Sequence, residues 1–279
     1  MTGKLRGLHS YWHVPGERPL PYRRLALPTW LLGVLSWQRH AGPIDLLADQ
    51  PTADWLDALG LLDGYDRVEV FDATEFDGRY RRAECFALPK LLGMARHPGS
   101  VLVDTDAFLL GELRLEGTGS HFAHLERGDA PFYARLHEVA NPAGVSLPPS
   151  LPYVGNTALF RAADADLARR ISAAGLAFLD GNPGTPGRDA ALHMTVAEQV
   201  LATHLTAEAG HEVVNVFGAL WSPHDRHWEV GPPAFGHLWH LKRYHQPGGL
   251  AAAYARVSRI LRDEYGVGEA RLRELVADL

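Results

Sequence analysis

The chain has 279 residues, 46% of them hydrophobic and 22% charged, with a net charge of −6 when histidine is neutral. That length and apolar content bury a sizeable core, so one large α/β domain is expected, and disorder is excluded. The negative balance argues against a nucleic-acid partner. A single cysteine, Cys85, cannot form an internal disulfide and fits a reducing compartment. With no apolar leader and no run of about 18 apolar residues, neither a signal peptide nor a membrane span is expected, and the location predicted is cytoplasmic.

In chain order, residues 5–12 read as a first strand, followed by a loop holding Pro15, Gly16, Pro19 and Pro21. The apolar spacing from Leu27 to His40 predicts a helix with Pro28 in its first turn. Residues 44–48 form a second strand, 52–61 a helix with Thr52 as N-cap, and 67–71 an alternating third strand. This alternation of strand and helix argues for βαβ units and a parallel sheet. Residues 84–96 predict an amphipathic helix carrying Lys90, a residue able to reach a phosphate as well as to sit in solvent.

That helix feeds the apolar run Val101-Leu102-Val103, which ends on Asp104-Thr105-Asp106. If the chain stays extended there, the two aspartates share one side and Thr105 turns away. Two adjacent carboxylates repel unless a proton or cation lies between them, and a hard divalent ion such as Mg²⁺ or Mn²⁺ takes oxygen ligands of this kind. Ligands of open parallel sheets bind beyond the carboxyl ends of the strands, where Asp104 and Asp106 are expected.

Further on, residues 120–127 read as one strand leaving this point, and residues 141–149 as a proline-rich loop. Residues 153–160 regain strand character around Gly155 and Asn156. A helix capped by Asp164 spans 164–179, a Gly/Pro loop covers 181–187 as a possible lid, and a continuous helix over 189–209 carries Glu198 and Gln199. The last third holds His224, His227, His237, His240 and His245 among Trp221, Trp228, Trp239 and Tyr244. The pairs His224/His227 and His237/His240 have zinc-like spacing, but no cysteine joins them and no H-E-x-x-H motif occurs. Residues 249–279 predict one final amphipathic helix.

Several of these segments together resemble nucleotide-sugar-dependent glycosyltransferases of the GT-A fold. They are His9-Ser10-Tyr11-Trp12, Val103-Asp104-Thr105-Asp106-Ala107-Phe108-Leu109, Tyr153 to Phe160, Ala197-Glu198-Gln199 and His237-Leu238-Trp239-His240-Leu241-Lys242. More narrowly, the chain is similar to a poorly characterised bacterial group of glycosyltransferase-like proteins. The resemblance implies a GT-A-like fold over 1–279, with a nucleotide-binding half (1–110), an acceptor and metal half (111–248) and a C-terminal helix (249–279). It also implies a nucleotide-diphospho-sugar donor and an acceptor that is a saccharide, small molecule or protein.

By the same resemblance, Ser10, Tyr11 and Trp12 border the nucleotide, although aromatics on a first strand also serve as plain core. Asp104 lies near ribose and metal, Asp106 binds the metal directly, and His237 or His240 supplies a further ligand, His240 being favoured. Lys242 meets the diphosphate, with Lys90 on the same side, and Gly155 and Asn156 contact the sugar. Glu198 faces the acceptor as base or orienting group. An imidazole beside two carboxylates suits Mn²⁺ better than Mg²⁺.

Transfer with retention is the course the late histidine implies. An inverting course needs a carboxylate near the acceptor hydroxyl, for which Asp129, Glu198 and Asp225 are the candidates. Two rival classes stay open. One is a binding module that keeps the fold without turnover. The other is a haloacid-dehalogenase-like phosphatase using Asp104 as nucleophile and Asp106 as acid. Phe108 and the mid-chain position of the motif depart from that second pattern.

Overall fold

The computed structural model describes residues 4–13, 20–183, 189–218, 220–221, 235–238 and 247–277. The first part runs β1 (Gly7–Tyr11), α1 (Leu20–His40), β2 (Ile44–Asp49), α2 (Gln50–Ala58), β3 (Arg67–Phe71), α3 (Leu88–Arg96) and β4 (Val101–Val103). Then come β5 (Ala107–Leu109), β6 (Ser120–Phe122), β7 (Leu125–Arg127), β8 (Tyr153–Gly155), β9 (Leu159–Arg161) and α4 (Ala165–Gly181). The remainder is α5 (Ala190–Thr195), a π-helical turn (Val196–Val200), α6 (Leu201–Glu208), β10 (Val213–Asn215), β11 (Leu220–Trp221), β12 (Phe235–His237), α7 (Pro247–Tyr265) and α8 (Glu269–Ala277).

Seven strands form the central sheet in the order β10-β6-β9-β4-β1-β2-β3. All neighbours are parallel except β9, which runs antiparallel to β4 and β6. The protein is therefore a mixed α/β molecule with a mainly parallel sheet flanked by helices, as the strand–helix alternation predicts. The reason lies in β2 and β4, which are buried throughout and place apolar side chains on both faces, with Asp45 and Asp49 of β2 the polar exceptions, and so need cover on each side. One cover joins Leu8, Leu47, Leu102 and Phe160 to Leu91 of α3, Ile171 of α4 and Leu201 of α6. The other joins Ile44, Leu46 and Val103 to Trp30 and Val34 of α1 and Leu56 of α2. Helices α7 and α8 add a third cluster against Leu25 and Leu32 of α1.

The chain runs outward from β1 through β2 to β3, then crosses back so that β4 lies on the other side of β1. Strand order thus reverses between β1 and β4, the place where open α/β sheets form a crevice at their carboxyl ends.

Several boundaries differ from those expected. Helix α1 begins at Leu20, so Pro28 lies inside it and not in its first turn; burial of Leu27, Trp30 and Val34 outweighs the lost N–H bond. The cap of α2 is Asp49, the last residue of β2, whose carboxylate accepts from the Thr52 N–H at 3.2 Å. Strand and helix abut there without a loop, and Thr52 is already helical. The helix expected from residue 84 starts at Leu88. Residues 120–127 are two strands in two sheets, because the Ala123 N–H turns away to the Asn156 and Leu159 carbonyls. Residues 153–160 divide likewise into β8 and β9.

The C-terminal helix is broken at Gly266, whose φ of +67° is left-handed. The Gly266 and Val267 N–H groups bond back to Arg262 and Leu261, closing α7 so that α8 can fold over and bury Leu272 and Leu275. Asp164 caps α4 as expected, accepting from Leu167 N–H at 2.8 Å. The lid expected over 181–187 falls largely outside the described residues.

Candidate metal centre

Asp104 follows directly on β4, and its backbone N–H donates to the Ala158 carbonyl at 2.9 Å. The D-x-D segment is not extended strand. It is a tight turn between β4 and β5, closed by the Ala107 N–H on the Asp104 carbonyl at 3.0 Å. The turn brings both carboxylates together nonetheless. The third member comes from far along the chain: β12 pairs antiparallel with β5 and sets His237 opposite Ala107, while the Leu238 N–H donates to the Asp106 carbonyl at 3.1 Å.

Ligand atoms of Asp104, Asp106 and His237 all lie within 4.8 Å of one another. His237 Nε2 is 3.7 Å from an oxygen of each aspartate. That spacing is too long for a hydrogen bond and comparable with two ligands bound at about 2.1 Å to one ion. Two carboxylates and an imidazole form a donor set fitting a divalent cation.

The charge around them fits as well. Lys90 is buried in α3, where it contacts Asp104 Oδ1 and Glu198 Oε2, the latter at 3.1 Å, and donates to the Thr157 carbonyl at 3.1 Å. These three acceptors use all three donors of its ammonium. Burial works against that charge, but Asp104 and Glu198 outweigh it and raise the Lys90 pKa. Glu198 is pushed up by its own burial and by Asp104, against the pull of Lys90. Asp104, Asp106 and Glu198 are three carboxylates facing one ammonium, an imbalance that a bound cation offsets.

Glu198 owes its position to the π-helical turn, where one extra residue is accommodated between α5 and α6. Glu198 reaches Lys90, while Gln199 beside it turns to the Tyr133 hydroxyl at 3.3 Å. Gly175 of α4 lets this turn come close. A Cβ there would stand 2.6 Å from the Ala197 carbonyl and 2.6 Å from Leu91.

The other expected site residues are placed as follows. Ser10 and Tyr11 are half-buried at the end of β1, and the Tyr11 ring meets Trp30 edge-on at 5.0 Å. Trp12 is buried in the core, with the Arg82 guanidinium 5.3 Å from its ring centre. Gly155 packs against Phe122, whose ring a Cβ would meet at 2.2 Å, and its N–H donates to Thr203 Oγ1 at 2.8 Å. The Asn156 amide donates to Glu126 at 2.8 Å and accepts from the Ala158 N–H at 2.9 Å. Asp129 pairs with Arg127 on the surface. His224, Asp225, His227, His240, Lys242 and His245 lie outside the described residues.

Two further buried polar groups lie near the centre. One is Glu126 in β7, with His124, Tyr133 and Asn156 around it. The other is His9 in β1. The Tyr65 hydroxyl accepts from Trp30 Nε1 and lies 2.7 Å from His9 Nδ1. Burial lowers the His9 pKa to about 3, with Asp106 pulling the other way.

The native state therefore keeps His9 neutral, while the unfolded chain takes up a proton below about 6.5. This contribution to stability is complete above that value and is lost as pH falls toward 3, at about 1.4 kcal/mol per pH unit. Urea unfolding at pH 7 and pH 5 is expected to show His9→Asn, which keeps a polar partner for Tyr65, losing about 2 kcal/mol less than wild type over this interval. Equal losses would contradict the buried neutral imidazole.

Fold and centre together define a mixed α/β protein with an Asp-Asp-His group, able to take a divalent ion, at the switch point of its sheet. No protein-family model and no curated protein sequence matches the chain. Among solved structures it is similar to the crystal structure of mouse Xyloside xylosyltransferase 1 in its apo form. The TM-score is 0.40 and the identity 13%, over 76% of this chain and 84% of that one. Among the described residues, no helix is long and apolar enough to cross a membrane.

Proposed function

We propose that this chain is a metal-dependent glycosyltransferase that moves a sugar, with retention, from a nucleotide-diphosphate donor to a saccharide, small-molecule or protein acceptor. The observation that carries the reading is the convergence of Asp104, Asp106 and His237 beside the buried Lys90–Glu198 pair. The order of sequence segments resembling GT-A enzymes supports it independently. Asp104, Asp106 and His237 are the residues to hold Mn²⁺ or Mg²⁺, and such an ion supplies stabilisation of the charge that builds on a departing diphosphate.

The remaining roles belong to the chain's own groups. Lys90 holds Asp104 and Glu198 fixed in orientation, since each of its protons is already committed to an acceptor. Glu198, with its raised pKa, stands ready to accept or share the proton of a sugar hydroxyl. Ser10 and Tyr11 border the nucleotide at the open end of β1, with Trp12 packed beneath them.

The test is thermal unfolding with UDP-, GDP-, dTDP- and CDP-sugars, each with and without Mn²⁺. One donor class is expected to raise Tm only when Mn²⁺ is present. At a hundred times Kd the gain is about 2.7 kcal/mol, or roughly 5–10 °C for a chain of this size. No shift with any donor, together with hydrolysis of a simple aryl phosphate, would overturn the proposal in favour of a phosphatase.

A further inference from the structure

Two routes connect the buried polar groups around Glu126 to Lys90. Glu126 is 5% exposed and accepts from Asn156 Nδ2 at 2.8 Å, from the Tyr133 hydroxyl at 2.7 Å and from His124 Nε2 at 3.2 Å. In one direction the Tyr133 hydroxyl, whose proton goes to Glu126, also lies 3.3 Å from Oε1 of Gln199, the sequence neighbour of Glu198, which pairs with Lys90 at 3.1 Å. In the other the route runs through Asn156 to its neighbour Thr157, whose carbonyl receives Lys90 Nζ at 3.1 Å. Both arms start at Glu126 and meet at Lys90.

The two routes span elements that are remote in sequence, namely β7, the turn after β8, the π-helical turn and α3. A second tie reinforces them: the Thr203 hydroxyl donates to the Gln199 carbonyl at 2.8 Å and accepts from the Gly155 N–H at 2.8 Å. Buried carboxylates stay ionised only when donors surround them. Here burial is outweighed by His124, Tyr133 and Asn156, and the Glu126 pKa is lowered. A fixed negative charge at this point sets which way the Asn156 amide and the Tyr133 hydroxyl face.

We propose that Glu126 is a positioning residue, which fixes the geometry of the Lys90–Glu198 pair through Asn156 on one side and Tyr133 on the other, without touching either member. That the pair belongs to a donor site rests on the function proposed above; that Glu126 sets its geometry does not. Glu126→Gln is the informative variant. It keeps the shape but removes the charge and puts an N–H where an acceptor oxygen stood, so the Tyr133 hydroxyl must turn its proton from this side chain to Gln199.

The measurement is solvent exchange of the Lys90 ammonium protons by ¹⁵N NMR on the full chain. Assignment is simple because the chain has three lysines, Lys4, Lys90 and Lys242. In Glu126→Gln, held well below its own Tm, exchange at Lys90 is expected to be about tenfold faster, the size given by losing one charge-assisted hydrogen bond. Exchange equal to wild type in a folded variant would overturn the proposal, because a purely structural glutamate lowers Tm without loosening Lys90. Should Glu126→Gln not fold, Tyr133→Phe decides: faster Lys90 exchange supports the proposal, and unchanged exchange overturns it. A donor panel that fails leaves this comparison intact, so the two proposals fall separately.

Discussion

Asp106→Ala is expected to abolish the Mn²⁺-dependent rise in Tm while leaving the metal-free Tm equal to or above that of wild type. Asp106 is buried beside Asp104, and its oxygen lies as far from His237 Nε2 as that of Asp104 does, at 3.7 Å. Without a cation, the two aspartates and Glu198 repel one another, so deleting one carboxylate relieves the native state. With a cation, the same deletion removes one of three protein ligands. Mn²⁺ affinity measured by calorimetry is expected to fall at least about a hundredfold, or about 2.7 kcal/mol. His237→Ala is expected to lose the Mn²⁺-dependent rise in the same way, but without the relief of repulsion, since it removes no carboxylate. A variant that binds Mn²⁺ as tightly as wild type would sink the Asp-Asp-His centre.

Lys90→Met is expected to have the largest effect on stability itself. Lys90 is the only cation that the described contacts place on Glu198, a buried carboxylate, and it shares Asp104, whose side chain is 26% exposed. Removing one partner of a buried ion pair costs about 3–5 kcal/mol, because the other charge is left stranded. For this chain that is a Tm lower by roughly 6–20 °C. The partly exposed Asp104 places the loss toward the lower end. The double variant Lys90→Met/Glu198→Gln is expected to recover more than half of it, since no buried charge then lacks a partner. A loss below about 1 kcal/mol in the single variant would mean that water replaces the ammonium.

Sequence and structure agree where local chemistry decides. Strand β4 and the Leu46-Leu47-Ala48 stretch of β2 are short apolar runs, which a sheet covered on both faces accommodates, and they are legible at once. Asp104 and Asp106 are legible because two carboxylates one residue apart repel unless a proton or cation lies between them. Lys90, Glu198 and His237 are legible as candidates, but not as partners: the lysine bonds across 14 and 108 positions, and the histidine arrives by strand pairing.

What escapes the sequence is set by tertiary contact. Pro28 within α1 follows from burial, not propensity, and Asp49, a favoured capping residue, escapes notice because it also ends β2. Gly155 is held by its packing against Phe122. Glu126 is a lone acidic residue with no motif, and its partners lie 2, 7 and 30 positions away. No periodicity encodes such a cluster.

The π-helical turn between α5 and α6 has a consequence for how this region tolerates change. An extra residue in a helix shifts the phase of everything after it, so the faces of α5 and α6 are offset by about 100° from a continuous α-helix. Glu198 and Gln199 face different partners because of that offset. Substitutions on the outer surface of α6 leave the phase untouched. A single-residue deletion between 196 and 200 resets it, turning Leu201 and Leu205 out of the core unless Glu198 gives up Lys90. In this stretch length is the constrained quantity, and identity comes second.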